Sequence, residues 1–435
     1  MPHPSPAPAP AVSPGGTPLD ASLLRIVAQG LVPATSTPDV AEAVRRQLAI
    51  QGQQVSAVPH ALLSRTTGTV MADVEEAFAQ GRLVRSWPMR GTVHITAAED
   101  HHWLRQALEH RMDGWRREDE ELYGQGPAAL DRAARIALEA VAAARRDGRA
   151  GASRTELVEA WRRDGFLAER LAAGMPENHA RRHLVVALHV VGVLVQGPRH
   201  GNEHLFVDAT NLPGAGTGPG GSGGCARGTD GHRAALAEIA RRYATSHGPV
   251  SAVDLARWTT LPVGEAARAL EDAIELTGAV GYGAGQADAV ARGLVPLTRV
   301  RVQEGPRGAL VVTGTGGAAA PSARERATTL YMREDLPDLL ADSLRQARAT
   351  LFLASFDELH VGYKDRGCLT DEAGERLICP GANGMFRPLL VDRGRVVAVR
   401  PVGEGLIWAA SARRSARLEA DVERAVRRMH KRLVA

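Results

Sequence analysis

The chain has 435 residues, which is more than one hydrophobic core usually holds, since single cores stop growing near about 250–300 residues. Its hydrophobic fraction of 44% and charged fraction of 23% are those of ordinary globular proteins, which excludes a mostly disordered chain. The formal net charge of +4 permits nucleic-acid binding without demonstrating it. The sequence contains no run of about 18 apolar residues, which a membrane-spanning helix would need, so we expect no membrane partner.

The first 18 residues and the three cysteines are also informative. Residues 1–18 are rich in Pro and Ala and have neither a basic start nor an apolar core, which predicts a disordered tail rather than a secretion signal. Cys225, Cys368 and Cys379 are odd in number and widely spaced, which argues against a disulfide framework and against a cysteine-based zinc site. We therefore expect a reducing, cytoplasmic location, with the nucleoid as the site of action.

Apolar residues at helical spacing, followed by two short apolar strands, recur along the chain. In the first unit, 19–125, the pattern predicts helices over 19–30, 38–50, 55–64 and 69–80 and strands over 83–87 and 91–95, with a turn at 88–90. In the second unit, 126–212, it predicts helices over 128–146, 153–164 and 177–191 and strands over 193–195 and 204–207, with a turn at 198–201. Ser153 and Glu156 form a predicted capping box at the start of the second of these helices.

A Gly-rich segment, 213–231, is too poor in apolar residues to fold alone and predicts a flexible linker. The third unit, 232–320, has predicted helices over 232–247, 253–258 and 263–276 and a strand pair at 280–282 and 310–312. The last part, 321–435, is predicted to be β-rich, with strands over 351–353 and 389–399 and a terminal helix over 413–433. We interpret the basic residues of that helix as a solvated face rather than a phosphate-binding one.

Three helices followed by a two-stranded wing are typical of a winged helix-turn-helix. The predicted fold class is therefore α+β, with three tandem winged-helix units and a C-terminal β-rich region. The same helix pattern also fits an unrelated α+β protein, and the periodicity alone leaves that alternative open.

Three strings resemble the signatures of a known family. They are R-L-V-R-S-W-P-M-R-G-T-V-H at 82–94, F-D-E at 356–358 with G-Y-K-D-R at 362–366, and N-G-M-F-R-P at 383–388. They are similar to those of the bacterial winged-helix DNA glycosylases of the AlkZ and YcaQ type. The resemblance runs from about Leu19 to the C-terminus, and it implies a DNA-binding enzyme.

The family's catalytic motif is a Gln, one intervening residue, and a Gln or Asp directly after the second helix. Gln51 and Gln53 match it, and the second Gln resembles the azinomycin-resistance branch. Gly52 departs from the usual apolar residue and is expected to loosen the backbone. Because residues i and i+2 do not share a helix face, the two side chains converge only on a turn or an extended segment. From the residues alone, both would be ordinary polar groups capping the preceding helix.

The resemblance implies a monofunctional DNA glycosylase that hydrolyses the N-glycosidic bond of N7-alkylguanine. The expected substrate is double-stranded DNA with bulky or crosslinked purine adducts, the expected role is DNA repair or antibiotic self-resistance, and no metal or organic cofactor is expected. We further expect a monomer. The alternative is a non-catalytic winged-helix regulator, which would need a basic reading helix and symmetric half-sites. An interaction scaffold would need an exposed apolar groove, which the sequence does not reveal.

The charges of the third helix in each unit predict which one faces DNA. Those of units one and three carry carboxylates, which repel phosphates, whereas that of unit two carries Arg181 and Arg182, with Arg199 and His200 at the wing. Arg90, Lys364 and Arg366, which lie in the matching strings, complete the predicted DNA-binding set. The alternative is that the two arginines of the helix pair with Glu177 or Glu169 on the surface.

Other clusters of reactive residues predict less. His101–His102 and His200 with His204 lack a third metal ligand, so we expect surface or DNA-facing histidines there. Asp357 and Glu358 suggest a carboxylate dyad, but a structural network of ion pairs is the commoner meaning of such a cluster.

Overall fold

The computed structural model describes residues 19–213, 218–219, 224–225, 227–278, 294–304, 310–315, 321, 325 and 328–435. The tail predicted at 1–18 and the strand predicted at 280–282 lie outside these ranges, as do parts of the predicted linker. Among the helices of the described ranges, none combines the length and hydropathy that a membrane span requires.

Most helices lie where the periodicity predicts them, with ends that shift by a few residues. They are α1 (Ala21–Ala28), α2 (Val40–Gln47), α3 (Val58–Leu63), α4 (Met71–Ala79), α5 (Ala98–Leu108), α6 (Asp113–Tyr123), α7 (Pro127–Arg146), α8 (Arg154–Arg163), α9 (Phe166–Ala172), α10 (Glu177–Val190), α11 (Asp230–His247), α12 (Ala252–Thr259), α13 (Val263–Gly278), α14 (Leu336–Ala347), α15 (Glu358–Val361), α16 (Glu372–Ile378) and α17 (Ala416–Val434). Short 3-10 turns follow at Val55–Ala57, Glu109–Met112 and Ala209–Asn211.

The strands form three antiparallel sheets. They are β1 (Leu19–Asp20), β2 (Ile50–Gln51), β3 (Leu83–Met89), β4 (Thr92–Ala97), β5 (Leu194–His200), β6 (Glu203–Asp208), β7 (Leu297–Glu304), β8 (Leu310–Thr315), β9 (Thr329–Arg333), β10 (Leu351–Leu353), β11 (Leu389–Asp392), β12 (Arg395–Val399) and β13 (Ile407–Trp408). The strand orders are β1-β8-β7-β9, β10-β11-β12-β13 and β2-β4-β3-β5-β6.

Local chemistry explains where several helices begin. The Asp39 side chain accepts from the backbone N–H of Glu42 and so caps α2. The predicted capping box of α8 is confirmed, because Ser153 Oγ accepts from the Glu156 N–H at 3.2 Å while the Glu156 carboxylate accepts from the Ser153 N–H at 2.8 Å. At α12, Ser251 and Asp254 make the same reciprocal pair.

The two hairpins of the first half are longer than predicted. Strand β3 continues through Met89, and the turn predicted at 88–90 lies instead at Arg90 and Gly91, which both have positive φ angles, 57° and 63°. Such φ pairs make the tight two-residue turns that suit antiparallel strands. Strand β5 likewise continues to His200, so the turn predicted at 198–201 lies at Gly201 and Asn202.

These two hairpins share one sheet, because Arg85 of β3 pairs with Gln196 of β5. The first and second predicted units, 19–125 and 126–212, are therefore joined by backbone hydrogen bonds rather than linked as separate bodies. This continuity places the β2 edge and the β6 edge of the central sheet on opposite sides of the two hairpins.

Strand pairings cross the unit boundaries predicted at residues 19 and 320. Leu19 of β1 pairs with Val312 of β8, and α1 packs against α14, so the N-terminal segment belongs to the second sheet rather than to unit one. In the same sheet, β9 pairs with β7 through Leu297 and Arg333, which carries the third unit past residue 320. Local periodicity cannot reveal such pairings between segments about 300 residues apart.

The C-terminal part contains the predicted strands, which form a four-stranded sheet. Its described residues include more helix than strand, however, so the prediction of a β-rich region was wrong. The terminal helix α17 buries Leu418, Val422, Ala425 and Met429 at helical spacing and exposes its basic face, as predicted. One of its arginines, Arg432, donates to the backbone oxygen of Thr69 and so ties the helix to the loop before α4.

The largest hydrophobic cluster lies beneath the motif of glutamines. Tyr243 of α11, Trp258 of α12 and Tyr363, which follows α15, are fully buried in it, together with Trp103 of α5. Helix α5, which no predicted element covered, contributes Trp103, Leu104, Ala107 and Leu108 to this core. Met112, just before α6, lies 3.9 Å from the position that a Cβ at Gly91 would take.

Candidate active site and DNA interface

The two glutamines lie on an extended segment at the edge of the central sheet. Helix α2 ends at Gln47, three residues earlier than predicted, and Leu48 then takes a φ of 64°. Strand β2 follows, in which Gln51 pairs with His94 of β4. The helix-capping interpretation is therefore wrong, and the extended backbone that convergence of the two side chains requires is present.

Gly52 is held firmly, contrary to the expectation that it loosens the motif. Its N–H donates to Val93 O at 2.8 Å, and its carbonyl oxygen accepts from Arg85 Nε at 2.9 Å. A Cβ at this position would lie 3.0 Å from Ile95 Cδ1 and 3.4 Å from the backbone carbon of His94. The glycine is thus explained by the close approach of β4.

The side chain of Gln51 is oriented by the hairpin tip. Arg90 NH2 donates to Gln51 Oε1 at 2.9 Å and lies 2.9 Å from His94 Nε2. His94 Nδ1 lies 3.0 Å from Thr92 O, so Nδ1 carries the proton and Nε2 accepts from the guanidinium. Burial and the neighbouring Arg90 lower the pKa of His94 to about 3, which keeps the imidazole neutral.

A buried carboxylate fixes the backbone of the motif. Glu358 Oε1 accepts from the Gln51 N–H at 2.8 Å, and Glu358 Oε2 accepts from Trp258 Nε1 at 3.2 Å. Burial alone would raise the pKa of this fully buried group, but His247, 3.6 Å away, and Arg90 lower it to about 2. Glu358 therefore stays ionised and balances the Arg90 guanidinium across Gln51.

The rest of the F-D-E string is structural, as expected. Asp357 accepts two hydrogen bonds of 2.9 Å from the buried Arg65, which also donates to Gln29. Gln29 in turn donates to the Tyr363 hydroxyl at 2.9 Å. This network fixes α15 against α1 and α3, and thereby positions Glu358.

Arg85 is a residue of the site that the sequence reasoning did not single out, although it lies in the first matching string. It donates to the carbonyl oxygens of Gly52 and Gln53 and to the side chain of Gln196. Burial and the nearby Arg154 lower its pKa to about 10, so it remains charged at neutral pH. In the described residues neither Arg85 nor Arg154 has a carboxylate partner, so their positive charges remain unbalanced beside the motif.

Gln53 is the exposed member of the pair. Its Oε1 is 3.4 Å from the N–H of Val93, a long hydrogen bond, and its backbone oxygen is 3.4 Å from Arg85 NH2. Gln51 is half-buried by comparison. One amide is thus fixed by the protein and the other faces solvent beside it.

The predicted DNA-binding residues divide into two groups. Arg182 and His200 are exposed, and Arg181 and Arg199 are half-buried, with Arg199 Nε donating to Gly201 O at the wing tip. Within the described ranges neither arginine of α10 forms an ion pair. The alternative partners are engaged elsewhere, because Glu169 pairs with Arg132 and Glu177 lies 3.6 Å from Arg162.

The other predicted contacts lie near the core. Lys364 is exposed, but Arg366 donates to Glu375 at 2.8 Å, which neutralises much of its charge. Arg90 is held between Gln51 and His94, as described above, and so positions the motif. The structure brings Arg90, Gln51 and Gln53 together and leaves Arg366 in a structural ion pair.

The histidines considered as metal ligands are mostly buried hydrogen-bonding groups. His102 Nε2 lies 2.7 Å from Ala209 O, and His204 Nδ1 lies 2.7 Å from Gly197 O. His200 is exposed at the tip of the same hairpin. The expectation of surface or DNA-facing histidines was therefore wrong for His101, His102 and His204, which are buried.

Comparisons with known proteins show the family and the fold of the chain. The family model described as "DNA glycosylase AlkZ-like" matches residues 44–432. The chain belongs to the AlkZ-like DNA glycosylase family. Among solved structures, it is similar to the Streptomyces sahachiroi DNA glycosylase AlkZ, with 19% identity, a TM-score of 0.61 and coverage of 95% of each chain, which shows a shared fold. The search of curated proteins gives no match.

Proposed function

We propose that this AlkZ-like protein is a monofunctional DNA glycosylase that hydrolyses the N-glycosidic bond of N7-alkylguanine in double-stranded DNA. The observation that carries the proposal is the pair Gln51 and Gln53 on the sheet edge, with one amide anchored through Arg90 and Glu358 and the other open to solvent. Membership of the AlkZ-like DNA glycosylase family supports the proposed reaction class, cleavage of an N-glycosidic bond in DNA.

The reaction needs little acid catalysis, because an N7-alkylated guanine already carries a positive charge and leaves as a neutral base when the C1′–N9 bond breaks. The bonding electrons go to the base, a positive charge develops on the sugar, and a water oxygen bonds to C1′ and loses a proton. We assign Gln53 Oε1 to accept a hydrogen bond from that water. Gln51, held by Arg90, presents its dipole to the sugar. Each such group contributes about 10²–10³-fold, by analogy with oxyanion sites.

We infer three tandem winged-helix units from the repeated order of helices and hairpin. They are α2–α4 with β3–β4, α7–α10 with β5–β6, and α11–α13 with β7–β8. The second supplies the DNA-binding face, with Arg181, Arg182, Arg199 and His200, because its arginines on α10 have no ion-pair partner in the described ranges. We add Arg154, which is exposed and neighbours Arg85, as a phosphate contact, and keep the exposed Lys364 from the predicted set.

Bulky or crosslinked adducts are the substrates that we propose, since Gln53 of the motif faces solvent. The role is then DNA repair or self-resistance against an alkylating natural product. The protein acts as a monomer on nucleoid DNA in the cytoplasm and needs no cofactor for this chemistry.

Incubation with a duplex that carries one N7-alkylguanine, followed by alkaline cleavage at abasic sites, tests the proposal. We expect strand cleavage at the modified position only, with the free alkylated base in the supernatant. A regulator would release no base and would select a defined motif from a random duplex pool about 10³-fold more tightly than other sequences. No release from N7-methylguanine or from a bulky N7 adduct would refute the glycosylase.

A further inference from the structure

A cluster of two histidines and an aspartate joins helices α6 and α10, away from the glutamine motif. Asp119 comes from α6, and His179 and His183 come from the first two turns of α10. One ligand atom from each side chain lies within 4.8 Å of those of the other two. Spacing of i and i+4 on a helix puts both imidazoles on one face, where they can share an ion.

The three side chains face each other closely. Asp119 Oδ2 lies 2.8 Å from His183 Nδ1, and the rings of His179 and His183 are stacked with centroids 3.4 Å apart. His179 Nε2 is buried and has no hydrogen-bond partner in the described ranges. A buried polar nitrogen without a partner is costly, so its presence points to a group that binds there.

Aromatic residues enclose the cluster on the α6 side. Trp115, Asp119 and Tyr123 follow each other at intervals of four residues and therefore share one helix face. The Trp115 ring is 5.0 Å from that of His183, and the Tyr123 ring is 5.3 Å from that of His179. An apolar shell around nitrogen and carboxylate ligands limits solvent access, as in metal sites of proteins.

We propose that Asp119, His179 and His183 bind a divalent transition-metal ion of the zinc class. Two imidazoles and one carboxylate are the ligand set that suits Zn²⁺, and a fourth position remains for water. The ligand nitrogens of a tetrahedral zinc ion lie about 3.3 Å apart, so the cluster must contract by no more than about 1.5 Å.

The ion would link α6 to α10, which contact each other through the side chains of this cluster. Arg181 and Arg182 lie between the two histidines on α10, so an ion at this cluster fixes the helix that carries them. This consequence rests on the proposed function, in which the two arginines contact DNA. The metal site itself does not depend on it.

Titration of the chelator-treated, tag-free full chain with Co²⁺ tests the site, because tetrahedral Co²⁺ absorbs visibly and Zn²⁺ then displaces it. We expect one equivalent to bind, and Asp119→Asn and His179→Phe each to weaken binding more than about ten-fold. Asn preserves the hydrogen bond to His183, and Phe preserves the ring stacking, so both variants should fold. Asp131→Asn on α7 and His430→Asn on α17, both at exposed positions, are matched controls that should bind Co²⁺ as the wild type does.

No uptake by the wild-type chain would overturn the site and leave a hydrogen-bonded pair with a stacked imidazole. Uptake at unchanged affinity in both variants would place the ion elsewhere and overturn it as well. The experiment does not use glycosylase activity, so failure of the proposed function leaves its result intact. Duplex affinity measured with and without Zn²⁺ tests the link to α10, where we expect a several-fold loss on chelation in the wild type and none in Asp119→Asn.

Discussion

The edge of the central sheet and the start of helix α10 are both basic, but their arginines are held in opposite ways. Arg90 is enclosed between Gln51, His94 and the charge of Glu358, whereas Arg182 on α10 is exposed and has no ion-pair partner in the described ranges. The buried charge of Arg90 is balanced by Glu358, so this arginine serves to position the motif. Exposed charges without partners remain available to phosphates.

This difference has an energetic consequence. Removing one partner of the buried network leaves another charge or dipole unsatisfied in the interior, which costs much more than the loss of an exposed side chain. Changes at the sheet edge should therefore affect both stability and catalysis. Changes on α10 should affect DNA affinity and its salt dependence alone.

The largest effect is expected for Glu358→Ala. It removes the acceptor of the Gln51 N–H and leaves Arg90 without its balancing charge, so the free energy of unfolding should fall by about 3–5 kcal/mol. Urea unfolding measures this change. Glu372→Ala, at an exposed glutamate that pairs with Arg376, is the control and should change stability by less than about 1 kcal/mol. Equal effects in the two variants would show that Glu358 is not part of a paired network.

The buried His94 predicts a loss of stability in acid. Its pKa is about 3 when folded and near 6.5 when unfolded, so below about pH 6.5 the unfolded chain binds a proton that the folded chain does not. Stability should fall by about 1.4 kcal/mol per pH unit for this histidine as the pH decreases toward 3. In His94→Asn, the slope of the unfolding free energy against pH should be smaller by about that amount between pH 6 and pH 5. An unchanged slope, or an equal change in His200→Asn at an exposed position, would contradict the assignment.

The α10 face predicts a change in binding without a change in stability. Arg181→Glu with Arg182→Glu should weaken binding to undamaged duplex about ten-fold or more at low salt. The slope of log affinity against log salt should flatten by about 0.9 for each lost phosphate contact. Fluorescence anisotropy over a salt series measures both quantities.

A control for that experiment makes the same change in net charge. Arg424→Glu with Arg427→Glu alters α17, where these arginines pair with Asp421 and Glu423. We expect its salt slope to match that of the wild type. If the α17 variant loses affinity and the α10 variant does not, DNA lies on the C-terminal face.

The smallest effect is expected at Gly52. An alanine Cβ would lie 3.0 Å from Ile95 Cδ1, so Gly52→Ala should destabilise the fold by about 1 kcal/mol and shift the motif. Ile95→Val removes the atom in contact, so the double variant should be more stable than the sum of the single changes predicts. A double-mutant cycle by urea unfolding measures this coupling, and additive effects would contradict the close packing.

Much of the fold follows from local patterns. The periodic apolar residues of 71–79 and 177–190 and the alternating strands around Gly91 and Gly201 predict helices and hairpins, because burial of one face decides them. Helix α6 was missed because seven of its eleven residues are charged and Asp119 is its one buried residue, which leaves little apolar periodicity to detect. Its partner residues His179 and His183 have metal-ligand spacing on a helix, a signal that was present in the sequence.

The candidate site could be predicted only in part. Gln51 and Gln53 follow from the motif, and the extended backbone follows from their spacing. The contact of Gln51 with Glu358 joins residues 307 positions apart, and no local pattern encodes such a pairing. The same holds for Leu19 and Val312, whose pairing moved α1 out of the first predicted unit. The reason for Gly52 also lies in a neighbouring strand, at Ile95.

The rate of base excision in a single turnover tests the central claim most directly. With a duplex that carries one N7-alkylguanine, Gln53→Ala should lower the rate about 10²–10³-fold, and Gln51→Ala with Gln53→Ala at least as much, while duplex affinity stays within a few-fold. Gln54→Ala, at a neighbouring glutamine whose side chain donates to Ser56, should excise at the wild-type rate. Wild-type rates in both motif variants, or an equal loss in Gln54→Ala, would contradict the assignment of Gln51 and Gln53 as catalytic residues.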